Sequence, residues 1–67
     1  RRTKGQICAV LRPRAVIEDS VYHVEDILRH APGTRILLIE TIWNQGFYHP
    51  HVERLPSWKH VADRLLI

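Results

Sequence analysis

The residues with the most chemical capacity lie between positions 47 and 60. His49 and His51 flank Pro50, Glu53 follows closely, and His60 comes a little further on. Imidazole and carboxylate are the ligands that zinc and similar ions favour. If 47–53 is extended, Phe47, His49, His51 and Glu53 share one face, with alternate residues about 7 Å apart. His60, near the start of a following helix, would then complete a set. However, no pair has the helical spacing of a metalloprotease, and Cys8 is the single cysteine, so no thiolate cluster backs the set. The plainer reading is a polar edge strand whose solvated histidines discourage edge-to-edge pairing. His49, His51 and His60 therefore stand only as metal candidates, and no metal or other cofactor is expected.

Catalytic patterns fare worse. Glu40 is followed by Thr41 and Ile42, so the lysine that completes a carboxylate metal nuclease is missing. A hairpin-and-helix nuclease needs a general-base histidine where Trp43 stands. Cys8 sits in an apolar run, where a thiol is inert. Ser20 and Ser57 are explained as helix caps, and the glycines are too scattered to cradle a phosphate. The chain is not expected to be an enzyme.

Recognition is the better prospect. The net charge is +3, and eight of the ten basic residues are arginine, whose planar fork suits phosphate and carboxylate. Arg1, Arg2 and Lys4 form a basic arm, and Arg12, Arg14, Arg54, Lys59 and Arg64 add positive charge. Phe47, Tyr48 and Trp58 offer rings for base stacking. Set against this, aromatic residues at helical or strand spacing are more often core. The expectation is a small, basic, non-catalytic module that binds nucleic acid through Arg1, Arg2, Lys4, Tyr48, His49, His51, Arg54 and Lys59. The runner-up is a protein–protein interaction or assembly subunit that regulates a larger complex.

These residues must be held by few elements, because 67 residues make one small domain. Residues 1–5 read as a basic flexible arm and 6–67 as the domain. Residues 6–12, QICAVLR, read as a short strand closed by Pro13. Residues 18–33 read as a helix, with Asp19 or Ser20 as cap, Val21, Val24, Ile27, Leu28 and Ala31 on its apolar face, and Pro32-Gly33 as its stop. Residues 34–43 read as the strongest strand, with Ile36, Leu38 and Ile42 on one face and Leu37, Ile39 and Trp43 on the other. Asn44-Gln45-Gly46 reads as a hairpin loop with Gly46 left-handed, leading to an edge strand through Pro50. Ser57 then caps a second helix that buries Trp58, Val61, Ala62 and Leu65.

The expected fold is α/β of the α+β type. Its order is strand, helix, strand, strand, helix, with a three-stranded mixed sheet and helices mainly on one face. Such a sheet leaves one face of the doubly apolar strand uncovered, so a homodimer or a place in a larger complex is expected. The longest apolar run, Ile36 to Ile39, cannot span a membrane. The lone thiol fits a reducing compartment, which points to an intracellular protein, cytoplasmic or nucleoid-associated. The start at Arg1-Arg2 without methionine, and the end at Leu65-Leu66-Ile67, fit a fragment, a processed chain or an end buried in a partner.

Overall fold

The computed structural model describes residues 1–65. Its elements run α1 (Lys4–Leu11), β1 (Ala15–Glu18), α2 (Val21–His30), β2 (Arg35–Ile39), a single 3-10 turn (Ile42–Asn44), β3 (Val52–Leu55) and α3 (Trp58–Leu65). The three strands form one sheet in the order β1-β2-β3, and both pairings are parallel. The expected mixed sheet is therefore corrected to an all-parallel one within a small α+β domain. The part of the last helix read at Leu66 and Ile67 lies outside the described residues.

The stretch read as the first strand is a helix. Thr3 and Gln6 form a capping box: Thr3 Oγ1 accepts from Gln6 N at 3.3 Å, and Gln6 Oε1 accepts from Thr3 N at 2.9 Å. This satisfies two of the amide groups that a helix start leaves open. Residues 3–5, read as part of an arm, are thus the cap and first turn of α1. The helix stops at Arg12, a non-glycine residue in the left-handed region (φ 52°), whose N–H returns to the Cys8 carbonyl. Pro13 then forbids continuation. β1 begins only after that stop, at Ala15.

α1 lies on α2 through its smallest residue. The Gly5 N–H donates to Asp26 Oδ2 at 2.7 Å, and a Cβ at Gly5 would overlap the Asp26 carbonyl. Behind this contact, Cys8, Val24, Ile27 and Ala31 meet Ile36, Leu38 and Val52 of the sheet. The other face of the sheet presents Leu37, Ile39 and Leu55 to Val61 of α3. Alternate residues of β2 thus feed two cores, as the period of a strand requires. All four residues Ile36–Ile39 are buried within one chain. The apolarity of β2 on both faces, read as a call for a partner, is met by α1 and α2 on one side and α3 on the other.

β2 and β3 are joined by residues 40–51, about the dozen residues that a parallel crossover needs. No α-helix fills this crossover, and the expected hairpin is absent: β2 and β3 pair in parallel, and Gly46 has no left-handed φ. Asn44 and Arg54 give it order instead. The Asn44 side chain, 1% exposed, donates to the Asp19 and Ile39 carbonyls, both at 2.9 Å, and accepts from Thr41 N at 3.0 Å. Arg54 Nη1, from β3, donates to the carbonyls of Asn44 at 2.8 Å and Phe47 at 2.9 Å. Arg54 Nε also lies 3.5 Å from Glu40 Oε2. Ile42 and Trp43, assigned to opposite faces of a long strand, are exposed on the 3-10 turn.

Candidate functional site

The residues proposed from the sequence fall into three groups. Arg1, Arg2, Tyr48, His51 and Lys59 are exposed and open to a partner. Lys4 is already engaged: its ammonium lies 2.6 Å from the carboxylate of Glu18, whose side chain is almost fully buried. Arg54 is a structural pin of the crossover and not a surface cation. Surface arginines usually shift stability by less than about 0.5 kcal/mol. Arg54 falls outside that class, because its guanidinium holds two carbonyls of the crossover.

The histidines do not converge. His49 Nδ1 accepts from His51 N at 3.0 Å, and the two rings stand 5.5 Å apart. His60 is paired with the Ser57 hydroxyl at 2.9 Å. Among the described residues no group of three metal-ligating side chains forms, and His49, His51 and His60 do not come together. The physical reason is the sheet itself. Phe47, just before the histidines, packs on the α1/α2 face, whereas α3 packs on the opposite face. Phe47 is half-buried there. Trp58, expected in the core, is exposed at the start of α3, where Val61 alone is buried.

The largest unexpected feature is on α1. Ile7, Val10 and Leu11 are 42%, 61% and 72% exposed. Their i, i+3, i+4 spacing places them on one side of the helix, opposite Gly5 and Cys8, which face α2. Arg1 and Arg2 precede this face in sequence, and Arg12 and Arg14 follow it, all exposed. Sequence reasoning missed the face because it took residues 6–12 for a strand, whose two-residue period hides a helical stripe. The Thr3–Gln6 capping box was the signal that distinguishes the two readings.

Basic residues gather at the amino edge of the sheet. Arg14, Arg35 and Arg64 line one concavity of about 430 Å3. Two of them are shared with one acid, Arg35 at 3.3 Å and Arg64 at 2.6 Å from the Glu53 carboxylate. The lone thiol is not part of a reactive site: burial pushes Cys8 up from its ordinary value of 9.0, which keeps it protonated and unreactive. Among the described residues no helix is long and apolar enough to cross a membrane. No known family, no curated protein and no solved structure matches this chain.

Proposed function

We propose that this chain is a non-catalytic interaction module that docks a protein partner through the outer face of α1. The observation that carries this reading is the exposed Ile7, Val10 and Leu11 stripe on a helix already anchored by its opposite side. Solvent-facing helix surfaces are ordinarily polar, and contiguous apolar patches mark interaction sites. Arginines before and after the stripe suit a partner whose apolar surface has an acidic rim, and charge at a rim guides association more than it adds affinity.

A double variant, Val10→Glu with Leu11→Glu, tests this reading. Both side chains are exposed, so the melt should move by less than about 3 °C. A protein that co-purifies in fixed stoichiometry with the parent chain from its own cells should be lost from the variant. Retention of the same partner by the variant refutes docking through α1.

The arginines at the amino edge favour a second reading, in which this concavity binds nucleic acid. With about three phosphate contacts, the logarithm of affinity should fall with the logarithm of salt at a slope of about −2 to −3. Arg14→Ala should flatten that slope by about one. A labelled oligonucleotide that binds with such a slope, equally in the parent and the α1 variant, would place this reading first.

A further inference from the structure

The carboxyl edge of the sheet holds a cleft that neither reading uses. Its volume is about 320 Å3, and Lys4, Glu18, Asp19, Thr41, Trp43 and Trp58 line it. Glu18 closes β1 here, and Thr41 lies just beyond β2. We infer that this cleft binds an uncharged ring bearing adjacent hydroxyl groups: a pyranose, or the ribose of a nucleoside.

Three observations support that ligand class. Trp43 and Trp58 are the only tryptophans of the chain, and both line this cleft while 73% and 66% exposed. Indoles held at the surface contribute little to the core and give a flat apolar wall to a ring. The polar groups alternate between acceptor and donor. The Glu18 carboxylate is fixed by Lys4 Nζ at 2.6 Å and by the backbone N–H groups of Asp19 and Ser20 at 3.2 and 3.3 Å. An ammonium has three donors, so Lys4 keeps capacity beyond Glu18. Asp19, exposed in the same cleft, supplies an open carboxylate, and adjacent hydroxyls, each both donor and acceptor, match a carboxylate and an ammonium. Finally, the Glu18 and Asp19 carboxylates against one ammonium repel phosphate, and the amides of Asp19 and Ser20 are already given to Glu18 and that of His23 to Ser20. These features select against an anion.

The indole N–H signals of Trp43 and Trp58 in a nitrogen–proton NMR spectrum read this site directly. The probes are methyl glycosides, ribonucleosides, their 2′-deoxy counterparts and the ribonucleoside 5′-monophosphates, each titrated to about 50 mM, well above the millimolar range in which weak sites saturate. Saturable shifts with methyl glycosides support the inference and name a sugar as the source. Shifts with ribonucleosides but not 2′-deoxynucleosides support it and name ribose. Asp19→Ala, at an exposed side chain, should weaken that binding about tenfold with an unchanged melt. Equal response to ribo- and deoxynucleosides, tighter binding of the monophosphates, no saturation by any probe, or unchanged affinity in Asp19→Ala would each overturn it. Val10→Glu with Leu11→Glu should leave these titrations unaltered, so failure here and failure of the α1 interface are separate results.

Discussion

Replacing Gly5 by alanine isolates the contact that seats α1. A Cβ at this position would stand 2.7 Å from the Asp26 carbonyl carbon and 2.9 Å from Asp26 Oδ2, besides overlapping the carbonyl oxygen. Carbon atoms at their optimum are about 3.5–4.0 Å apart, so α1 must back away by about 1 Å. The obstacle is the backbone of α2, which cannot swing aside as a side chain can. Overpacking of this kind costs about 1–3 kcal/mol. Alanine returns about 1 kcal/mol through its helix propensity, which leaves a net loss of about 0–2 kcal/mol. A chain this size has a total stability of roughly 3–10 kcal/mol, and the melting temperature should fall by up to roughly 15 °C.

The lone thiol gives a local readout of the same event. Cys8 is 8% exposed beneath α1, so an aromatic disulfide reagent should label it slowly in the parent and faster in Gly5→Ala, under conditions where the sheet remains folded. Gly33→Ala is the matched control, because a Cβ there meets nothing within 4 Å and its φ is not positive. That variant should be neutral, or stabilising by about 0.5 kcal/mol through the unfolded chain. A Gly5→Ala chain that melts as high as the parent and labels at the parent rate would refute the close approach of α1 to α2.

Other expectations follow from the same structure. Asn44→Ala leaves the Asp19 and Ile39 carbonyls without their donor and should cost about 2–4 kcal/mol by urea denaturation; a loss under 1 kcal/mol would deny it the role of crossover pin. Arg54→Lys should recover little of the loss in Arg54→Ala, because one ammonium cannot reproduce the fork that reaches Asn44 and Phe47; equal stability of Arg54→Lys and the parent contradicts this. Arg12→Gly removes the penalty of a left-handed non-glycine residue and should raise stability by about 1 kcal/mol, read as a higher melting temperature. The Gly5 N–H, with smaller help from the Thr3 side chain, His30 and Arg29, holds Asp26 below its ordinary value of 3.8. Its contribution is therefore complete above that value and is lost as the pH falls through the lower folded value, so Asp26→Asn should flatten the acid limb of a stability–pH curve.

The elements that depend on local pattern were legible in the sequence. Ser20 caps α2, Val24 and Ile27 are its buried residues, and Pro32-Gly33 follows its end. Ile36–Ile39 form the central strand, and Val61 anchors the last helix. What was hidden depends on contacts between distant positions. Glu18 resembled an acid in the first turn of a helix, but it ends β1, buried and paired with Lys4. A four-residue strand wedged between an arginine-proline turn and a helix cap carries too little pattern to be seen. The choice between hairpin and crossover also rested on no local signal. Asn44-Gln45-Gly46 has the composition of a turn, and only the burial of Asn44 between Asp19 and Ile39 commits the chain to cross the sheet.

The same topology explains why a site sought in one stretch of sequence is dispersed in space. In a parallel sheet with antiparallel covering helices, every strand start and every helix end lie at one edge. Arg14, Arg35 and Arg64 meet there, and cations near helix C-termini are also favoured by the helix dipole. The opposite edge collects strand ends and helix starts, which brings Lys4, Glu18, Trp43 and Trp58 together across most of the chain length. The Arg14, Arg35 and Arg64 cluster thus lies at one edge, and Trp43 and Trp58 lie with Lys4 at the other. Combined recognition of phosphate and base by one patch requires them side by side. The arginine cluster stands apart from the tryptophan pair, which leaves two surfaces of different chemistry, with the apolar side of α1 as a third.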